Sequence, residues 1–165
     1  MRRHDRVLRW LAGWLGDERV QSDVLVEQSA PTAAFPDGRL DITFDSNGRR
    51  TRLDVAIVSV LTTNGRERTR RAKVDGCAAR DEEAHKRNRY GGLATPFVVE
   101  AFGRPGDSAR GIIGRCSQDC GLGQSADAAS AWQALSAIVQ AESSDLELRA
   151  CGWTPVDRAH AQFAF

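Results

Sequence analysis

Polar and hydrophobic residues alternate on both sides of an Asn-Gly pair, Asn47 and Gly48. Such alternation is typical of β-strands that bury one face. Asn-Gly is the strongest short-range indication of a two-residue hairpin turn, because both turn positions need positive φ. We predict a hairpin whose strands cover residues 39–45 and 51–60. Residues 53–61 are almost continuously apolar, which favours a central strand covered on both faces.

The rest of the chain shows helical spacing of apolar residues in several segments and short apolar runs in others. The predicted helices cover residues 5–15, 72–90, 125–141 and 144–151, with a short helix beginning near residue 107. The predicted strands outside the hairpin cover residues 20–26 and 95–102, and residues 62–71 are predicted to be a polar connection.

These elements predict an α/β fold with a mixed β-sheet core flanked by helices. A helix that leads from one strand to a neighbouring strand is a crossover connection, so part of the sheet should be parallel. The last two helices should form a C-terminal helical hairpin. We divide the chain into an N-terminal helix (1–19), an α/β core (20–115) and a helical tail packed on the core (116–165).

The composition is typical of a globular protein, with 41% hydrophobic and 27% charged residues in a chain of 165. No apolar run approaches the roughly 18 residues that span a bilayer. The N-terminus lacks the apolar core of a signal peptide. We therefore expect an intracellular protein without membrane contact, and we interpret its cysteines as reduced thiols. Only Cys116 and Cys120 have a loosely metal-like spacing, and no second close pair completes a zinc site.

The predicted hairpin places Asp41 directly opposite Asp54. Opposed side chains in a sheet have Cβ atoms roughly 4.5–5.5 Å apart, and like charges at that distance are destabilising. A bound cation or a shifted proton would compensate the repulsion. A shared divalent metal ion, Mg²⁺ or Mn²⁺, would indicate phosphodiester cleavage. The alternative is that Asp41 pairs with Arg39 or Arg52 at a solvated strand end.

Positive charge is concentrated in residues 49–90, which hold twelve arginines and lysines against six acids. Clustered basic side chains beside a candidate metal site suit a phosphate backbone. The alternative is a solvated, arginine-rich face without a ligand. The residues that we predict to bind nucleic acid are Arg66, Arg68, Arg70, Arg71, Arg87 and Arg89.

The segments around these acids resemble those of a nuclease family. They are Arg39-Leu40-Asp41-Ile42, Leu53-Asp54-Val55-Ala56-Ile57-Val58, Lys86-Arg87-Asn88-Arg89-Tyr90 and Pro96-Phe97-Val98-Val99-Glu100-Ala101-Phe102-Gly103. Their order and spacing, over roughly residues 20–105, resemble the restriction-endonuclease-like PD-(D/E)xK nucleases. The closer resemblance is to the endonuclease domain at the C-terminal end of site-specific non-LTR retrotransposon polyproteins.

The resemblance implies a restriction-endonuclease-like fold and Mg²⁺- or Mn²⁺-dependent cleavage of a DNA target site that primes reverse transcription. It implies DNA as partner, with element RNA or a reverse transcriptase module as further partners, and a nuclear location. The chain would then be a fragment of a larger element, a relic or a domesticated domain.

The resemblance also implies a set of site residues. Asp41 and Asp54 would hold the metal with Glu27 as an upstream acid, and Lys86 and Glu100 would complete the catalytic set. Glu27 and Glu100 have a plainer interpretation as strand-edge carboxylates, and Lys86 as the helical partner of Glu82.

Two positions depart from the family pattern. Leu40 precedes Asp41 where the family has proline, although a literal Pro36-Asp37 lies in the preceding loop. Ala56 stands where the motif lysine is expected, and in this retroelement branch the lysine comes from the following helix, where Lys86 lies. The missing lysine favours a competing hypothesis, a catalytically inactive nucleic-acid-binding module on the same fold. A weaker one is a protein-interaction domain that works through its helical tail.

Overall fold

A computed structural model describes residues 3–16, 22–29, 39–46, 48–62, 64–119 and 124–150. Its elements in chain order are α1 (Arg3–Leu15), β1 (Ser22–Ser29), β2 (Arg39–Ser46), β3 (Arg49–Val58), α2 (Gly65–Lys73), α3 (Cys77–Tyr90), β4 (Thr95–Glu100), α4 (Asp107–Asp119) and α5 (Gln124–Ala150).

The strands form one sheet in the order β1-β2-β3-β4. The first two pairings are antiparallel and the pairing of β3 with β4 is parallel. The chain passes from β3 to β4 through α2 and α3. This arrangement confirms the predicted mixed α/β sheet flanked by helices, with β3 in a central position.

The β2–β3 hairpin has the predicted register. Backbone partners run from Ser46 opposite Arg49 to Ile42 opposite Leu53. Gly48 in the turn has φ of 74°, the left-handed conformation that glycine adopts without strain. The next pair along this register is Asp41 and Asp54.

The two faces of the sheet differ in chemistry. One face packs its apolar side chains against α1, α4 and α5 to form the main core. The sheet contributes Ile42, Phe44, Leu53, Val55, Phe97 and Val99 to this core. The other face carries Asp41, Thr43 and Asp54 and is covered by α3. The alternation of polar and apolar residues along the hairpin strands therefore separates a core face from a more polar face.

Residues 62–71 were predicted to be a polar connection, and this prediction is wrong for most of the segment. The helix α2 begins at Gly65 because the Asn64 side chain accepts hydrogen bonds from the amides of Arg66 and Glu67, at 3.1 and 3.2 Å. The single helix predicted over residues 72–90 is also divided, since Gly76 takes a left-handed φ of 68° before α3 begins.

The C-terminal helical hairpin predicted from residues 125–141 and 144–151 is wrong, because α5 continues unbroken to Ala150. The predicted break at Glu142 and Ser143 is bridged by contacts with α1. Arg6 pairs with Glu142 at 2.7 Å, and Arg3 donates a hydrogen bond to Ser143 Oγ at 3.0 Å. These tertiary partners satisfy polar side chains that would otherwise favour a helix end.

None of the helices in the described ranges is both long and apolar enough to cross a membrane. The strand predicted at residues 95–102 is present as β4, at Thr95–Glu100. Residues 30–38, which include Pro36 and Asp37, fall outside the described residues.

Candidate active site

Lys86 and Asp54 meet between α3 and the sheet. The Lys86 Nζ atom lies 2.6 Å from Asp54 Oδ2, and the two side chains are only 11% and 9% exposed. Lys86 shares the inward face of α3 with Ala79, Glu83 and Tyr90, which are all buried and follow the helical repeat. The lysine therefore pairs with the sheet and not with Glu82, the alternative considered from the sequence.

Asp41 lies one residue beyond Ile42, where the backbone pairing of β2 with β3 ends. Its Oδ2 atom accepts a hydrogen bond of 2.6 Å from the Val55 amide and lies 3.3 Å from Nε2 of His4. These contacts fix the carboxylate at the end of the hairpin ladder. The alternative partner Arg39 instead pairs with Glu27, at 2.6 Å.

The two aspartates differ in proton affinity. Burial raises the pKa of Asp54 above its ordinary value. The contact with Lys86 acts to lower this pKa but does not outweigh burial, and the charge of the adjacent Asp41 raises it further. Burial also acts to raise the pKa of Asp41, but hydrogen bonds from His4 and from the Val55 amide outweigh it, so this pKa is lowered. The contact with Asp41 in turn raises the pKa of His4. The two carboxylates thus lie in different electrostatic surroundings, Asp54 beside Lys86 and Asp41 beside His4.

Glu27 falls opposite Asp41 in the β1–β2 register, between the pairs Val26–Ile42 and Gln28–Leu40. Its side chain is 57% exposed and is held by Arg39. The structure thus places Glu27 in the same row of the sheet as Asp41, with its carboxylate bound to Arg39 and not to an aspartate partner.

Glu100 lies at the far end of the same face. It pairs with Val58 of β3. Val58 follows Asp54 by four residues, so the two positions are roughly 13 Å apart along the strand. Its buried carboxylate accepts a hydrogen bond of 3.3 Å from the Ala79 amide in the first turn of α3. The helix has no side-chain cap of its own at Gly76, so Glu100 supplies one from the sheet. The structure does not bring Glu100 to the aspartate pair.

The sequence analysis missed His4, because its position beside Asp41 depends on the packing of α1 against the sheet. It also missed Glu83, which is 2% exposed. Glu83 accepts hydrogen bonds from the Ser108 amide at 2.9 Å and from Arg87 at 3.0 Å. A glutamate on the inward face of a helix is the sequence feature that could have identified it.

Most of the predicted nucleic-acid-binding arginines are engaged within the protein. Arg70 and Arg71 both bind Glu67 at 2.7 Å and lower its pKa to about 2. Arg70 also pairs with Asp81. Arg87 binds Glu83 and Ser108, and the Arg89 guanidinium lies over the Tyr90 ring, 5.5 Å from its centroid. The guanidinium groups of Arg66 and Arg68 are exposed and have no partner in the part of the chain that the structure describes.

The donor set of the aspartate pair fits a hexacoordinate Mg²⁺ ion. Mg²⁺ is bound in proteins through one or two carboxylates, with waters and substrate phosphates completing its shell. The hydrogen bonds to Lys86, His4 and Val55 all go to Oδ2 atoms, which leaves the Oδ1 atoms as acceptors. On the same face, the Thr43 hydroxyl is buried without a partner among the described residues. No cluster of three or more His, Cys, Asp or Glu side chains suited to a metal occurs in the described ranges, so a cage built by protein alone is not formed.

The cysteines show no metal arrangement in the described part of the chain. Cys77 and Cys116 are buried free thiols on α3 and α4. Cys120 and Cys151 fall outside the described residues, so the spacing between Cys116 and Cys120 stays a sequence observation.

The sequence matches no protein-family model, and it has no significant match among curated proteins.

Proposed function

We propose that this protein is a metal-dependent DNA endonuclease with a restriction-endonuclease-like core, related to the target-site cleavage domains of non-LTR retrotransposons. The observation that carries the proposal is the meeting of Asp41, Asp54 and Lys86 at the junction of a hairpin and a crossover helix, with Lys86 2.6 Å from Asp54. Two carboxylates could hold a divalent ion, and one ammonium group beside them could position water or offset charge on a phosphate.

In this proposal Asp41 and Asp54 hold the Mg²⁺ or Mn²⁺ ion, which would polarise the scissile phosphate and lower the pKa of a water molecule. His4 and the Val55 amide keep the Asp41 carboxylate oriented. Lys86 orients the attacking water and offsets negative charge on the phosphate. The half-buried Ala56, two residues after Asp54 on β3, has no long side chain to compete with Lys86 for this place.

A second candidate function, nucleic-acid binding without cleavage, is favoured by one observation. Lys86 and His4 already contact the two aspartates, and the carboxylates of Glu27 and Glu100 are bound elsewhere. A site whose charges are balanced by its own side chains is stable without an ion.

Nicking of supercoiled plasmid separates the two functions. The purified chain should nick the plasmid with Mg²⁺ or Mn²⁺ and should be inactive in EDTA. Asp54→Asn should reduce the rate by at least about 100-fold, because it removes a metal ligand. Asp45→Asn, which changes an aspartate of β2 that pairs with Arg50 near the turn, is the control and should retain activity.

No nicking by the wild-type chain, or equal nicking by Asp54→Asn, would overturn the endonuclease proposal. Plasmid binding without nicking would support the binding module instead.

A further inference from the structure

A cavity of about 750 Å³ lies at the turn end of the hairpin, apart from the aspartate pair. It is formed by the first residues of β3, by the loop that leads into β4 and by the second half of α4. Four arginines line it, and no Asp or Glu is among its lining residues in the described ranges. We call this cavity the arginine groove; its arginines are Arg49, Arg50, Arg52 and Arg115.

The groove exists because β4 is shorter than β3. The parallel pairing begins at Thr95 opposite Leu53, so residues 49–52 have no strand beside them on that edge. Backbone N–H and C=O groups along such an edge are open to a ligand. The buried side chains of Phe44 and Ile112 form the floor, and Leu93 is half exposed at the rim.

The arginines of the groove make fewer side-chain contacts than Arg70, Arg71 and Arg87 do. The guanidinium groups of Arg49, Arg52 and Arg115 are exposed and have no hydrogen-bond or ion-pair partner among the described residues. Arg50 pairs with Asp45 at 3.1 Å and remains 46% exposed. The groove therefore concentrates uncompensated positive charge in a concave surface, where it attracts anions more strongly than on a flat one.

We propose that the arginine groove binds the phosphodiester backbone of a nucleic acid. Guanidinium groups match phosphate oxygens in paired hydrogen bonds, and a row of them suits a repeating anion. The floor of the groove belongs to the apolar face of the sheet, whereas the aspartate pair lies on the face covered by α3, so the groove would hold the backbone apart from the aspartate pair. The inference rests on the proposed function for the identity of the ligand.

The test is fluorescence anisotropy with a short labelled DNA duplex and the full chain in EDTA, where no cleavage occurs. The groove variant is Arg49→Gln/Arg52→Gln/Arg115→Gln. The control variant, Lys73→Gln/Arg80→Gln/Arg110→Gln, removes the same charge from exposed positions on α2, α3 and α4. The groove variant should bind at least about tenfold more weakly, and its slope of log affinity against log salt should shrink by about 2–3, since each lost phosphate contact is worth about 0.9.

The control variant should stay within about threefold of wild type. Arg115→Gln alone changes one exposed residue of α4 and should reduce the slope by about 1. This single variant tests the inference if the triple variant fails to fold. Equal losses in both triple variants, unchanged binding by the groove variants, or no binding by wild type would overturn the inference. Groove-dependent binding without plasmid nicking would reject the endonuclease alone, whereas nicking with unchanged binding by the groove variants would reject the groove alone.

Discussion

Lys86 and Asp54 form an ion pair that is almost removed from water, with both side chains about one-tenth exposed. Desolvation costs each charge several kcal/mol, and the mutual attraction offsets this only while both partners remain. The raised pKa of Asp54 shows that burial outweighs the lysine even in the intact pair. Removing the lysine should therefore leave a carboxylate that the folded chain tolerates poorly.

We predict that Lys86→Met lowers the free energy of unfolding by about 3 kcal/mol near pH 8 in EDTA. The pKa of Asp54 is already raised from 3.8, and it should rise further without the ammonium group. A carboxyl group whose pKa is higher in the folded than in the unfolded chain does not reduce the free energy of unfolding at a pH below both pKa values. It reduces that free energy most at a pH above both values, where the group is ionised. The loss should therefore be smaller near pH 5, where Asp54 can keep its proton.

Urea unfolding of wild type and Lys86→Met at both pH values measures this difference. Lys73→Met, which changes an exposed lysine of α2, is the control and should stay within about 0.5 kcal/mol of wild type. A loss of stability that is equal at both pH values would contradict the role assigned to Asp54.

Single residues of the site were predictable to the extent that local geometry fixes them. Asp41 and Asp54 follow from the turn, which determines the register of the hairpin. The inward direction of Lys86 follows from its helical spacing with Tyr90, whose hydroxyl donates to the Arg39 carbonyl. The contacts of His4 and Glu100 depend on how separate elements pack, so no sequence spacing reveals them.

At the scale of elements, two helices begin against buried glutamates from neighbouring elements. Glu100 accepts from the first turn of α3, and Glu83 accepts from the first turn of α4. A carboxylate at a helix N-terminus satisfies free amides and complements the helix dipole. Glu83 thereby connects α3 to α4. Its carboxylate lies where a side chain at position 106 would be, because a Cβ atom added to Gly106 would overlap Glu83 Oε1.

Gly106→Ala should therefore reduce the free energy of unfolding by at least about 2 kcal/mol, because it displaces the carboxylate that accepts from Ser108. Gly114→Ala is the matched control, since Gly114 lies within α4 with open space at the Cβ position. The control should gain about 0.5–1 kcal/mol from helix propensity. Chemical denaturation of both variants checks the prediction, and an equal effect of the two substitutions would refute it.

The elements that the sequence analysis misplaced are those without a hydrophobic pattern or with partners distant in sequence. The segment that forms α2 is strongly charged and lacks an apolar stripe, so periodicity gave no indication of it. Asn64 followed three residues later by Glu67 is a capping pattern that could have located its start. The continuation of α5 past Glu142 depends on Arg6, which sequence patterns do not place.

At the scale of the whole molecule, the N-terminal helix belongs to the main core. Val7, Leu11 and Leu15 of α1 are fully buried in the same cluster as the apolar face of the sheet. The cluster also includes Leu135 and Val139 of α5. The described elements on this face thus share one core, and α1 also delivers His4 to the site.

Leu11→Ala should lower the free energy of unfolding by about 3 kcal/mol, since it leaves a cavity in a close-packed core. Leu61→Ala, at a side chain that is 65% exposed, should change it by no more than about 0.5 kcal/mol. Urea unfolding followed by tryptophan fluorescence measures both. A separate early transition for the α1 tryptophans Trp10 and Trp14 would contradict the assignment of α1 to the shared core.

The central claim is that Asp41 and Asp54 together hold a divalent ion, and calorimetric titration of the metal-free chain with Mn²⁺ tests it most directly. Wild type should bind one ion, and Asp41→Asn and Asp54→Asn should each weaken binding by at least about tenfold. Asp45→Asn should bind as wild type does. No binding by wild type, or unchanged binding by the Asp41 and Asp54 variants, would contradict the claim.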